Sequence, residues 1–571
     1  MAKSSTRKKR GTAMHKAPGV ALSPEKRDAT VRRLLIRGTR LEKKGDPKTA
    51  AQLYLKAFDL DPRNPETLRL LGMTLHKLGK RSLAIDAFER ALKHSHNDIN
   101  ILISLGNMAL EMSLPDLALK FSQVLIGKYP ESHIGYNNAA TALRELERFD
   151  EAIDILQAVM PKFAHAAELW NTLATVVTAR DGLQASLVFY EEAIRLNPHM
   201  TKTLSNLARA YDHLGRYEEA IEIAERTLKI DPEFTEARYT LGNACLALGN
   251  LERGWHNYEI RLHAGRTDAT IYTHGIDKWD GSDLSGKRLL ISPEQGVGDE
   301  IMFASFIPDV YAKAEQLLIG CDWRLVPLYE RSFPGSIVGR YVDFRHDGTR
   351  HRHFPWLEGA GVTPDFSIEV GSLGKFLRPT RDSFPQRPDG YLMPDAERVA
   401  AWRDRLAALG DGLKIGMCWR SGVLDHERKR EYTSIEQWAP LFAVPGVQFV
   451  NLQYDECAKE VALARDRFGV TIHEWEDLDR RNDLDEITAL TKALDLVISP
   501  PTAPGMTAVS VGKEWWCLVR IPPWWCFGGT DTPLHAGARI CQIPKDGDWK
   551  ELMEIMAADL TQRAEAVIAT P

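Results

Sequence analysis

Cysteine is scarce and scattered: the seven residues (Cys245, Cys321, Cys418, Cys457, Cys517, Cys526, Cys541) are odd in number and never spaced C-x-x-C. This speaks against a disulfide framework and against structural zinc. No apolar run approaches the roughly 18 residues a membrane span needs, so no transmembrane segment is expected. An excess of one charge is lacking too. The 73 Lys+Arg and 78 Asp+Glu leave a net charge of -5 over 571 residues, which gives no general reason to expect nucleic acid or an anionic membrane as partner. The one basic cluster is Lys3, Arg7, Lys8, Lys9 and Arg10. It reads as a disordered solubilising tail over residues 1–24, with an electrostatic tether as the alternative. No apolar stretch follows it as a signal peptide requires. The expectation is a cytoplasmic protein.

What is present first is a repeat. The small residues Gly38, Gly72, Gly106, Ala140, Ala174, Ala208 and Gly242 stand 34 positions apart without insertion. Twelve positions after each comes a second small residue: Ala50, Ala84, Ala118, Ala152, Ser186, Ala220 and Gly254. Small side chains at both sites let the two helices of a hairpin approach closely. Tyr54, Phe88, Leu156, Tyr190 and Tyr258 follow four positions later and are expected to pack against the next unit. Prolines at 62, 130, 198 and 232 stop second helices without costing a needed hydrogen bond. Helical pairs at this period resemble tetratricopeptide repeats (TPRs). Seven of them over residues 25–265 predict an α superhelix with a concave groove.

Amide and hydroxyl side chains recur beside the small residue of the first helix. Among them Asn107, Asn138, Asn206 and Asn243 are the candidate peptide-binding residues. They can donate to and accept from an extended backbone with little demand on its sequence. A merely solvated polar face is the alternative. The pattern partly resembles the asparagine ladder of the O-GlcNAc transferase superhelix, which implies a polypeptide partner.

Beyond about residue 265 the period stops, and 12 of the 14 tryptophans lie there. Short apolar runs now alternate with helical segments, which predicts an α/β fold. Arg288–Pro293 reads as a strand running into Glu294-Gln-Gly-Val-Gly-Asp-Glu300 and then an amphipathic helix. Gly296 and Gly298 would let backbone N–H groups approach a ligand at the helix N-terminus. The turn is neither a Rossmann fingerprint, since Ile301 replaces the third glycine, nor a P-loop. A second unit begins with the strand from Leu413 and its turn Arg420-Ser421-Gly422, with a helix expected near Ser434. Then come a strand over 447–454 and a buried strand from Leu494 that ends in a loop through Thr502, with a helix from about Met506. Two such halves, over 270–390 and 391–571, imply a cleft between them.

The stretches EQGVGDEIMFASFIPD, GMCWRSG, EQWAPLF, FVNLQYDE and ALDLVISPPTAPGMTAVSVGK, in this order, resemble bacterial TPR-fused proteins of the heptosyltransferase-like glycosyltransferase clan. The TPR-first layout is similar to O-GlcNAc transferase and to flagellin glycosyltransferases. The resemblance implies a metal-independent GT-B fold of two Rossmann-like halves. It also implies a nucleotide-sugar donor (a CMP-linked nonulosonic acid by analogy of layout) and a polypeptide acceptor such as flagellin. No cofactor or metal is expected. On the matching positions it implies that Asp299 is the base for the acceptor hydroxyl, with Glu300 competing and a helix N-cap as the bland reading of Asp299. Donor binding would fall to Gly296, Gly298, Arg420, Ser421, Gly422, Thr502, Ala503 and Gly505, with the Arg420 guanidinium neutralising the departing phosphate.

The sequence departs from the family pattern. Pro501 stands for an acidic residue, Met506 for a histidine, and Asp531-Thr-Pro-Leu-His535 for an aromatic Pro-Trp-Tyr-Pro stretch. These departures favour one alternative, a non-enzymatic TPR adaptor with a degenerate transferase domain; a surface-polysaccharide glycosyltransferase is a further alternative. His351 and His353 read as part of a solvated loop. Trp515, Trp516, Trp524 and Trp525 suggest sugar or base stacking, with core packing as the alternative.

Overall fold

A computed structural model describes residues 23–95, 98–266, 268–346, 349–422, 431–545 and 547–568. The basic cluster of residues 3–10 lies outside them. The chain forms two compact units, divided between Val159 and Met160.

The first unit holds four helical hairpins: Pro24–Lys43 with Pro47–Leu60, Pro65–Lys77 with Arg81–His94, Ile99–Glu111 with Pro115–Lys128, and His133–Glu145 with Phe149–Val159. Ala50, Ala84, Ala118 and Ala152 are fully buried, as the small-residue pattern requires. The larger group four positions on packs within its own hairpin, not only against the next unit as expected. A Cβ on Gly72 would stand 2.9 Å from the Phe88 ring, and one on Gly38 would run into Tyr54. The turn inside each hairpin repeats a left-handed residue in the same register: Gly45, Gly79, Ser113 and Glu147. Ser113 and Glu147 adopt φ of 58° without the freedom of glycine.

The second unit starts with three more hairpins, Ala167–Asp181 with Leu183–Leu196, Thr201–His213 with Tyr217–Ile230, and Thr235–Ala247 with Leu251–Tyr258. A 3-10 turn, Glu259–Leu262, closes them. The α/β part follows with β1 (Thr270–Tyr272), β2 (Arg288–Ser292), β3 (Gln316–Cys321), β4 (Ile337–Arg340), β5 (Val342–His346), β6 (Thr349–His353) and β7 (Phe366–Glu369). Its second half carries β8 (Leu413–Met417), β9 (Val447–Asn451), β10 (Ile472–His473), β11 (Leu496–Ser499), β12 (Trp515–Val519) and β13 (Ala538–Gln542).

Two parallel sheets result, ordered β4-β3-β2-β7 and β10-β9-β8-β11-β12-β13. Both reverse direction of winding at their first strand, β2 and β8, and ligands bind doubly wound sheets at such switch points. The loops after β2 and β8 leave the sheets at these switch points, and β11 is the neighbour of β8. The fold is thus TPR hairpins followed by an α/β domain of two Rossmann-like halves. A small side sheet, β1-β6-β5, contains the histidine-rich segment. That segment is part of two antiparallel strands, β5 and β6, rather than the loop expected, and Phe344 stacks on its cross-strand partner His351.

The last hairpin and both halves share one apolar core. Trp255 is its hub: its indole N–H donates to the Arg378 carbonyl at 2.9 Å, and its ring meets Phe306, Trp524 and Phe527. Leu246, Leu251 and Tyr258 join Ile291, Phe303, Trp402 and Trp515 in the same cluster. Burying aromatics of this size is worth about 2–3 kcal/mol each, so the last hairpin is held to the α/β part by its interior.

Candidate functional site

The loop after β2 is clamped from several sides. Arg352 of β6 donates to the carbonyls of Glu294 and Gln295, the latter at 3.2 Å, and the Tyr272 hydroxyl donates to that of Pro293. Arg261, in the turn that closes the hairpins, reaches Glu294 Oε1 at 2.7 Å. The Gly371 N–H donates to the same oxygen at 3.0 Å. The helix Val297–Phe303 then starts, with Gly296 as its N-cap.

Asp299 sits in the first turn of that helix and caps nothing, so the N-cap reading is set aside. Its Oδ2 lies over Gly296, where a Cβ would be 3.4 Å away. Among the described residues nothing donates a hydrogen bond to its carboxylate. It faces a cavity of about 180 Å³ lined by Tyr239, Tyr258, Arg261, Glu294, Pro501 and Trp524, among others. Asp299 is itself exposed to solvent at the rim of this cavity. Desolvation on its inner side, with Glu294 adding to it and Arg261 opposing, raises its carboxyl above the usual carboxylate range. Water at the mouth relaxes part of that penalty; the upward direction is what the chemistry uses.

Glu300, one residue on, points the other way. It is 1% exposed and accepts from the Asp322 N–H at 2.9 Å and the Tyr341 hydroxyl at 3.2 Å. Burial pushes it up to about 8 against the pull of Arg352. The two acidic candidates are thus separated: Asp299 faces the cavity and Glu300 the interior of the first half.

Gly298 faces the second half, where a Cβ would lie 3.7 Å from the Ala503 nitrogen. This brings together the loops after β2 and β11. The helix after β11 spans Ala503–Ser510, three residues earlier than expected, because Pro504 fits its first turn. Thr502 is its N-cap residue by backbone. The Thr502 hydroxyl is buried and donates to the Pro500 carbonyl at 3.1 Å. Gly505 serves packing, since any Cβ there would strike the Trp515 indole.

Arg420, after β8, is engaged within the protein. Nε and Nη2 reach Glu460 at 2.8 and 2.6 Å, Nη1 reaches Asp455, and Nη2 also meets the Glu456 carbonyl. Its charge is compensated by two carboxylates rather than left for a phosphate. The Ser421 hydroxyl lies 3.4 Å from the Tyr454 hydroxyl, which also accepts from the Gly422 N–H at 3.1 Å. Of the four tryptophans, Trp515 and Trp516 are core residues of β12, whereas Trp524 and Trp525 line the cavity. His535 lies behind Trp525, 2% exposed, with neither ring nitrogen hydrogen-bonded. Burial holds it down to about 3, a neutral imidazole.

In the first unit Asn138 is buried and donates to Asn107 at 2.8 Å; in the second Asn206 donates to Asn171 at 3.3 Å. Neighbouring repeats thus bridge their own amides. Asn243 keeps a buried Oδ1 without a partner. The sequence did not single out Tyr239, Tyr258 or Arg261 for the site, because the repeat pattern presents all three as array residues. No group of three or more metal-ligating side chains forms among the described residues, and no helix there is long and apolar enough to cross a membrane.

The tetratricopeptide repeat family matches residues 37–98, 179–233 and 213–254. Protein FlbA of Caulobacter vibrioides is 35% identical over 521 residues, spanning 90% of this chain and 87% of that relative. The Hsp70-Hsp90 organizing protein of Triticum aestivum is 25% identical over 234 residues, 38% of each chain. Among solved structures, yeast Tom70 aligns at 21% identity over 42% of this chain and 52% of its own, with a TM-score of 0.38.

Proposed function

The chain belongs to the family of Protein FlbA of Caulobacter vibrioides, and for this member we propose the activity of a metal-independent protein O-glycosyltransferase. Its tetratricopeptide repeats are modules of protein–protein interaction. On this reading they hold a polypeptide acceptor in the cytoplasm, flagellin being the acceptor that the layout suggests. The nucleotide-sugar donor lies across the switch points of the two sheets, between the loops after β2, β8 and β11.

The observation that carries the reading is Asp299. A carboxylate with no hydrogen-bond donor of its own, raised in basicity, faces a small cavity where the two halves meet. In the transfer step a Ser or Thr hydroxyl oxygen bonds to the anomeric carbon of the sugar. The bond from that carbon to the phosphate oxygen breaks, and the nucleotide leaves with the electron pair. The hydroxyl proton passes to Asp299. On this reading Trp524 and Trp525, which line the cavity, present apolar faces to the sugar.

The reading is tested by nucleotide release from CMP-linked nonulosonic acid and from UDP-linked sugars, with and without flagellin. Acceptor-dependent release that disappears in Asp299→Asn supports it. No release with any pair supports the second reading, a TPR adaptor whose α/β domain has lost chemistry. That alternative is favoured by one observation, the Arg420 guanidinium already neutralised by Asp455 and Glu460.

A further inference from the structure

The turn that ends the helical hairpins does more than join them to the next domain. Arg261, on that turn, is 3% exposed, and each of its three side-chain nitrogens donates a hydrogen bond. Nε and Nη2 reach Glu294 at 3.3 and 2.7 Å, Nη1 reaches Glu259 at 2.8 Å, and Nη2 also reaches Ser372 Oγ at 3.0 Å. Its guanidinium stacks 4.7 Å above the Tyr258 ring. One side chain thus ties three segments: the closing turn, the loop after β2 and the 3-10 turn that follows β7. Arg261, Glu294 and Asp299 line one cavity.

We propose that Arg261 is a positioning residue for the site: by gripping Glu294 it fixes the loop that carries Asp299, which makes the closing turn of the hairpins a working part of the α/β cleft. The inference rests on Asp299 being the group that acts. A guanidinium suits the task because its rigid fork grips a carboxylate through two N–H groups, which a lysine cannot do. A buried pair that loses one partner leaves an uncompensated charge. Here that charge would be Glu294, beside Asp299.

The other groups facing Asp299 are few. Glu259 is shared with Ser372, Asp268 is paired to Arg266 at 2.9 Å, and Tyr239 and Tyr258 present phenols. Glu294 and Arg261 are the charged groups that act on Asp299, in opposite senses.

The test uses the full chain with Arg261→Met, Glu294→Gln and the double variant. The first readout is tryptophan fluorescence against pH, taking the component that vanishes in Asp299→Asn, since Trp524 lines the same cavity. Arg261→Met should move that midpoint up by about one pH unit, and Glu294→Gln should move it down. The double variant should return it toward the wild-type position. The second readout is the acidic limb of transfer against pH, which should move in the same directions. A midpoint common to all variants overturns the proposal, as does transfer reduced equally at every pH in Arg261→Met. The nearly isosteric Glu294→Gln keeps the test decisive if Arg261→Met fails to fold. Fluorescence shifts as expected in a protein without transfer would uphold the positioning role and sink the transferase reading alone.

Discussion

Gly298 and Ala503 bring the loops after β2 and β11 within reach of each other: a Cβ on Gly298 would lie 3.7 Å from the Ala503 nitrogen. That is ordinary van der Waals contact, so a methyl fits, and a branched side chain would extend into the gap beyond it. Gly298→Ala should keep most activity, whereas Gly298→Val should block the gap and abolish donor binding with little change in melting temperature. Isothermal titration with the nucleotide and a thermal melt check both statements. Equal donor affinity in Gly298→Val would show that the gap is not used.

Glu300 makes a prediction about pH and stability rather than catalysis. Burial raises it from 4.5 to about 8. It is therefore protonated in the folded chain and ionised in the unfolded one over that interval. Its contribution to stability is fully present below the unfolded value and is lost as pH rises through about 8. Glu300→Gln should flatten the decline in stability between pH 5 and 8, read from urea midpoints. A decline unchanged by the substitution would contradict this account of the side chain.

The repeat was the most legible part of the sequence, because the close approach of two helices imposes small residues at a fixed spacing. The α/β halves were legible from buried strands running into small-residue turns. Ser434 opened a helical turn as expected, capped reciprocally with Gln437. What could not be read was direction. Asp299 and Glu300 are adjacent and chemically alike, and only helix geometry sends one to the cavity and the other inward. Arg420 carries the charge a phosphate needs, yet Asp455 and Glu460, over thirty positions away in sequence, claim it. The array's part in the cavity was hidden for the same reason, since Tyr239, Tyr258 and Arg261 reach it only through tertiary packing.

Arg420 can be assigned by separating binding from stability. If its charge serves Asp455 and Glu460, Arg420→Met should lower stability by about 2 kcal/mol in urea unfolding. The KM for donor should then change little. A large rise in donor KM at unchanged stability would restore the phosphate role.

The turns inside the hairpins give a prediction for the first unit. Glu147 holds the left-handed conformation that Gly45 and Gly79 adopt at equivalent positions. L-residues with larger side chains are strained there. Glu147→Gly should stabilise the chain by roughly 0.5–1 kcal/mol, seen as a higher urea midpoint. A loss of stability would mean that the Glu147 side chain contributes more than its backbone costs.

The central claim is that Asp299 drives sugar transfer to a bound protein. Intact-mass spectrometry of proteins co-purified with the wild-type chain and with Asp299→Asn tests it most directly. The account predicts a discrete mass increment on a partner in the first preparation and its absence in the second, with the same partner bound in both. Identical partner masses in the two preparations would contradict it.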